Sequence, residues 1–200
     1  KIMPTSFIVG QFISEERPAG ADTKFDKRMY PSLFFNPEAL GDVVKNESWY
    51  GGNYSMEKLW EGNAGKMAGG APTFSMGDGK FLLKKYTAYS VNDEAADNMG
   101  NKEGKANNVR VMRFAEVLLM YAEALNEIEY SNSQTSVAMN ALNAVHTRSC
   151  SSAIQIAELP DKDSFRKAIM LERQREFPYE GHRWFDLVRM GGAKEAMVFA

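Results

Sequence analysis

The sequence predicts a mainly α-helical fold, a helical hairpin plus further helices, preceded by a loop-rich first half containing minor β-hairpin structure. Three observations carry this reading. Composition breaks near Asn107-Asn108, with 13 of 16 glycines and 5 of 7 prolines before the break, which favours turns and short extended pieces there. Beyond it, apolar residues recur at three- and four-residue steps, the spacing of one helix face. Finally, 8 of 10 arginines lie in residues 109–200, where planar guanidinium forks can tie helices together through carboxylates. Residues 1–108 and 109–200 are therefore expected to be two regions of different character. The 200 residues suffice to bury roughly 70% of the unfolded surface, so no cross-link is required.

In chain order, residues 80–89 read as a strand or one arm of a hairpin following the turn Gly77-Asp78-Gly79. Residues 99–108, rich in Asn, Gly and Lys, read as an exposed loop. A first helix is expected over about residues 109–130. Leu118, Tyr121, Ala122, Leu125 and Ile128 form its apolar stripe, and Glu116, Glu123 and Glu127 mark the opposite face. Ser131-Asn132-Ser133 supplies turn and cap chemistry. A second stripe of Val137, Ala138, Ala141, Leu142, Ala144 and Val145 then opposes Asn140 and Asn143. Two helices across so short a turn fold back on each other, as in tetratricopeptide-like arrays. One hairpin alone leaves apolar surface uncovered.

A third helix should begin after Leu159-Pro160-Asp161, capped by Asp163 or Ser164, with Phe165, Ala168 and Ile169 starting its buried stripe. That stripe runs on into Glu172, Arg173 and Glu176. Such charges must be paired or must emerge into solvent, because an unpaired buried charge costs several kcal/mol. Pro178 removes a backbone donor and ends or kinks this helix. A last helix at about residues 182–189 puts Trp184, Phe185 and Val188 on its apolar side and closes at Gly191-Gly192.

Function classes narrow next. The 24 Lys+Arg against 26 Asp+Glu leave a net charge of -2, so nucleic acid is not an expected partner. No stretch approaches the ~18 apolar residues of a membrane span. Cys150 is the single cysteine and cannot form an intrachain disulfide. The chain starts at Lys1 without a signal segment and ends in apolar residues 197–200, which suggests a fragment cut at both ends.

His146 and Cys150 lie four apart, the spacing of a Cys-His pair on one helix face. The bland reading, a partly covered histidine beside a helix-terminal cysteine, is favoured because no orienting carboxylate is identifiable. With His146, His182 and Cys150 alone, a zinc site would need carboxylates the sequence does not place, so no metal is expected. No nucleotide cofactor is expected either: Gly65-Lys66 is followed by Met67, and Trp60 stands where a phosphate loop has its leading glycine. The acidic segment 93–104 lacks calcium-loop spacing. Glu172 and Glu176 have the residue types for glycosidic acid/base hydrolysis. However, Arg173, Arg175 and Arg183 would hold them ionised rather than raise one to act as acid, which favours an ion-pair network.

A different signal is the interleaving of Trp49, Tyr50, Tyr54 and Trp60 with Asn46, Asn53, Asn63, Gly51 and Gly52. Aromatic faces stack on the apolar faces of sugar rings and amides bond neighbouring hydroxyls, as a sugar platform requires. Anchoring of a long loop to its domain explains the same aromatics.

Taken together, RFAEVLLMYAEALNE at residues 113–127, ALNAVHTR at 141–148, LERQRE at 171–176 and EGHRWFDLVR at 180–189 strongly resemble the SusD/RagB family. Asp26-Lys27-Arg28 before Leu33-Phe34-Phe35, and GKFLLKK at 79–85, are similar to weaker features of that family. One departure is Ser149-Cys150 after Arg148, which leaves the end of that helix open. The resemblance corresponds to the C-terminal half of such proteins, so the chain reads as one fragment of a larger protein.

It implies a non-catalytic lipoprotein of nutrient uptake and polysaccharide utilisation in Bacteroidetes. The full-length protein would be lipid-anchored at the outer-membrane surface, through a segment absent from this chain. Tetratricopeptide-like (TPR-like) hairpins would pack against a TonB-dependent SusC-like transporter, and loops would perform the carbohydrate binding. Residues 1–108 then form the ligand side, with Trp49, Tyr50, Asn53, Tyr54 and Trp60 as candidate glycan contacts. Arg113, Glu116, Glu123, Glu172, Arg173, Arg175, Glu176, Glu180, Arg183 and Asp186 are expected to form a structural network joining helices. No cofactor is implied. Two other readings compete: a hairpin scaffold that binds protein without glycan, and a glycoside hydrolase using Glu172 or Glu176.

Overall fold

Helices carry most of the regular structure in the computed structural model, which describes residues 4–35, 40, 81–85 and 110–198. The chain divides into two units, one of residues 1–9 and 16–109 and the other of residues 10–15 and 110–200. The division passes through the first helix, α1 (Ser6–Ile13).

In the first unit, a single helical turn, α2 (Met29–Ser32), leads into β1 (Leu33–Phe34), which pairs antiparallel with β2 (Leu82–Leu83). Ser32 O accepts the Lys84 amide at 2.9 Å and extends the ladder by one step. Asp26, fully buried, accepts the Arg28 amide at 2.9 Å and its guanidinium at 2.6 Å, so the charge that enters this small core enters as a pair. Phe25, Met29, Leu33 and Phe35 are buried beside it. Among the described residues, β2 thus pairs with a segment far away in sequence. The turn expected at Gly77-Asp78-Gly79 and the loop expected over 99–108 lie outside the described residues.

The second unit contains α3 (Phe114–Ile128), α4 (Val137–His146), a 3-10 turn (Ile156–Glu158), α5 (Lys162–Glu176), α6 (His182–Arg189) and α7 (Ala193–Val198). Helix α3 packs on α4 and α5, which also pack on each other. It is shorter than the expected 109–130 because Arg113 and Glu129 are both extended. Ser136 caps α4, its hydroxyl accepting the Met139 amide at 3.2 Å, whereas the expected Ser131-Asn132-Ser133 stays in the turn. At α5 the cap is Asp161, two or three residues earlier than the expected Asp163 or Ser164. Its carboxylate accepts the Ser164 amide at 2.7 Å while the Ser164 hydroxyl accepts the Asp161 amide at 3.0 Å, a capping box. The Ser164 amide first, and then the Ser164 side chain, pull the Asp161 carboxyl below its ordinary value. Helix α5 stops at Glu176, two residues before Pro178, where a proline would remove a helical donor.

The core is built from Ala115, Leu119 and Ala122 of α3, Ala138, Met139, Leu142 and Val145 of α4, Phe165 and Ile169 of α5, and Phe177. This stripe is rotated from the expected one. Tyr121, Ile128, Val137 and Ala144 are exposed, while Glu116 is buried. Glu116 faces inward because Arg173 and His182 meet it there, so the charge contradicts the simple apolar-inside rule without being unpaired. Helix α6 inverts its pattern further: Asp186 is buried, and Trp184, Phe185 and Val188 are 55%, 72% and 55% exposed. Partnership with Arg173 draws Asp186 inward and turns the aromatic side outward. The helix closes as expected, with Gly191 in the left-handed region at φ 78° and Gly192 N donating to Leu187 O at 2.9 Å.

Candidate functional site

Charge concentrates at the C-terminal end of α5. Arg113, extended just before α3, sends its guanidinium to both acids that bracket the end of α5: Nη1 donates to Glu176 at 2.7 Å, and Nε and Nη2 donate to Glu180 at 3.0 and 2.8 Å. Nη2 also reaches the Glu176 carbonyl at 2.7 Å, satisfying a helix-terminal acceptor. Glu176 takes a second arginine, Arg148 from beyond α4, at 2.5 Å. Burial lowers the Arg113 guanidinium, but the bonds from Glu180 and Glu176 outweigh it and the net shift is upward.

One turn back, Arg173 Nε donates to both Asp186 oxygens at 2.9 Å, joining α5 to α6, and Nη2 lies 3.7 Å from Glu116 of α3. The Phe177 ring sits beneath both guanidinium groups, 4.7 Å from that of Arg113 and 5.3 Å from that of Arg173. Arg189 bridges Asp186 and Glu123, and these bonds, Glu123 first, raise its guanidinium. Burial lowers the Arg183 guanidinium against the pull of Asp186, and its Nη1, like Arg173 Nη1 and Arg175 Nε, has no hydrogen-bond partner among the described residues. Tyr179, in the left-handed region at φ 64°, is pushed up to about 12 by burial.

A second cluster adjoins the first on the same helix. Glu172, fully buried, accepts His146 Nδ1 at 2.8 Å. Cys150 is buried one turn beyond His146, in a turn whose amides return to the His146 carbonyl, so α4 does not extend to the cysteine as the shared-face reading supposed. Glu15 approaches from the 10–15 segment of the same unit, and a carboxylate oxygen, a ring nitrogen of His146 and Cys150 Sγ all lie within 4.8 Å of one another. Arg175 pairs with Glu15 at 2.7 Å. The carboxylates missing from the sequence reading of this corner are therefore Glu172 and Glu15.

Of the ten expected network residues, Arg113, Glu176 and Glu180 form one group and Glu116, Arg173 and Asp186 another. Glu123 joins the second through Arg189, Arg175 and Glu172 belong to the His146 corner, and Arg183 pairs with none of them. Sequence reasoning missed Glu15, His146, Arg148, His182 and Arg189 as members. Trp49, Tyr50, Asn53, Tyr54 and Trp60 lie outside the described residues. Two grooves accompany the network. One of about 640 Å³ lies over Glu123, Glu127, Arg166, Met170 and Arg189, and a second of about 420 Å³ over Arg110, Arg113, Phe114 and Arg148. In the first, Glu127 is held at about 2 by hydrogen bonds from Arg166, then Lys162. Among the described residues, no helix is long and apolar enough to cross a membrane.

Comparisons with known proteins agree on one family. The model of the SusD family matches residues 1–199. Two SusD-like proteins of Formosa agariphila are 33% identical over 96 residues and 34% identical over 110 residues. The matches take in 45% and 54% of this chain but only 18% and 21% of those proteins, so the chain spans about a fifth of their length. The crystal structure of a SusD superfamily protein from Bacteroides vulgatus superposes with a TM-score of 0.66 at 20% identity, over 98% of this chain and 35% of that one. At that identity the superposition speaks for the fold alone.

Proposed function

The chain belongs to the SusD family, and from that membership we propose that it is part of a cell-surface protein that binds glycan without cleaving it and hands it to a TonB-dependent, SusC-like outer-membrane transporter. The family match over residues 1–199 is the observation that carries this reading. Glycosidic acid catalysis needs one carboxyl raised toward neutrality beside an ionised partner. Here Glu176 accepts from Arg113 and Arg148, and Glu172 is occupied by His146, so both of the competing reading's candidates have structural partners. The network is accordingly assigned to joining helices. The apolar row Phe114, Val117, Met120 and Tyr121, exposed along α3, suits packing against the remainder of a full-length protein. Anchoring of that protein to the outer membrane by lipid belongs to the same proposal.

Glycan contact is assigned to the aromatic and amide cluster Trp49, Tyr50, Asn53, Tyr54 and Trp60, on the stacking argument made from the sequence. Calorimetric titration of the full-length protein with oligosaccharides tests it. Saturable binding is expected, weakened about two- to tenfold by Trp49→Ala and again by Trp60→Ala, the worth of one stacked ring each. Full affinity in both variants rejects the cluster. Release of reducing sugar by the protein, abolished by Glu176→Gln, rejects the non-catalytic role.

A further inference from the structure

We propose that Glu15, His146 and Cys150 form a binding site for a divalent cation of the zinc class, with Glu172 orienting the histidine. The proposal is independent of glycan binding and rests on the geometry of the second unit alone. Three ligand atoms of three chemical kinds, a thiol sulfur, a ring nitrogen and a carboxylate oxygen, converge within 4.8 Å. Ligands around a tetrahedral zinc ion, at ~2.3 Å for sulfur and ~2.0 Å for nitrogen, stand roughly 3.5 Å apart, so the corner has to tighten by at most about 1.3 Å.

The histidine is prepared for ligation. Its Nδ1–H is donated to Glu172 at 2.8 Å, and that fixes the tautomer in which Nε2 carries the lone pair. A carboxylate behind a ligating imidazole is the usual support in zinc sites, and Glu172 is itself fully buried. Cys150 and His146 are buried as well, while the Glu15 side chain is 26% exposed and gives the ion a way in. The opposing charge is Arg175, 2.7 Å from one Glu15 oxygen. It holds that oxygen and leaves the second to turn toward the ion.

On binding, the thiol loses its proton to solvent and the metal–thiolate bond replaces the S–H bond, so affinity rises with pH. Sulfur, imidazole and carboxylate together select zinc-like ions over magnesium or calcium, which prefer oxygen alone. Three protein ligands leave a fourth position for water.

Cobalt(II) reports such a site directly. Titrating the full 200-residue chain under reducing conditions should give one equivalent of bound Co2+, with intense visible d–d bands and a near-ultraviolet thiolate-to-cobalt band, all displaced by Zn2+. Cys150→Ser should lose the thiolate band, and Glu172→Gln should weaken binding about 10- to 100-fold. Glu15→Gln, a change nearer the surface, should weaken binding at least about tenfold and diminish the upward shift of the melting temperature that Zn2+ causes in the parent. Circular dichroism of the metal-free variants confirms that each is folded. If Cys150→Ser does not fold, the Glu15→Gln titration and melting shift decide alone. Absence of the thiolate band in the parent, or equal Co2+ affinity in parent and Glu15→Gln, overturns the site.

Discussion

The two ends of α5 use the same chemistry in different surroundings. Near its start, Arg166 pairs with Glu127 and Asp163 in the open, its side chain 40% exposed. About two turns later Arg173 pairs with Asp186 at 5% exposure. Both are guanidinium–carboxylate pairs, yet the first replaces hydration that water would have supplied and the second replaces hydration that water cannot restore. An exposed pair is worth up to about 1 kcal/mol, whereas removing one partner of a buried pair costs about 3–5 kcal/mol because a charge is left in the interior. The arginine content read from the sequence is therefore not one device but two.

Arg173→Ala sharpens the contrast most. It leaves the buried Asp186 with Arg189 alone, leaves Glu116 with His182 and removes a cation from the Phe177 ring, and urea unfolding should report a loss of about 3 kcal/mol. Asp161→Ala, at the open end, removes half of the capping box and should cost about 1 kcal/mol in the same measurement. Arg166→Ala should cost less than about 1 kcal/mol and become nearly silent in 1 M salt.

Acidity and alkalinity separate the two ends in another way. Glu127 is held at about 2, below its ordinary 4.5, by Arg166 and Lys162. Folding therefore disfavours its protonation, and its contribution, present above pH 4.5, is lost as pH falls toward 2. Glu127→Gln should flatten that part of the acid stability curve. Tyr179, beyond the buried end, is raised from 10.0 to about 12. The unfolded chain ionises first, so stability present below pH 10 is lost as pH rises toward 12, and Tyr179→Phe should remove this alkaline slope.

What the sequence disclosed follows the same division. Helices α4 to α6 were readable to within two or three residues because apolar spacing, Pro178 and Gly191-Gly192 are local signals, although the caps of α4 and α5 are Ser136 and Asp161 rather than the residues expected. The inward turn of Glu116 was not, because it depends on Arg173 and His182, which lie on other elements. Trp184, Phe185 and Val188 looked like a core face since periodicity records that a helix has two sides, not which one its partners cover. Glu15 was invisible beside His146 and Cys150 for a plainer reason: it arrives from the opposite end of the chain. The family resemblance, by contrast, lay in contiguous runs and was legible at once.

The account depends on buried acids being held by arginines to join helices. A double-mutant cycle of Arg173→Ala with Asp186→Ala, followed by urea unfolding, measures that directly. A coupling of about 2–3 kcal/mol is predicted, so that the double variant is far less destabilised than the sum of the single ones. Additivity to within about 0.5 kcal/mol would mean that the two side chains do not depend on each other, and would contradict it.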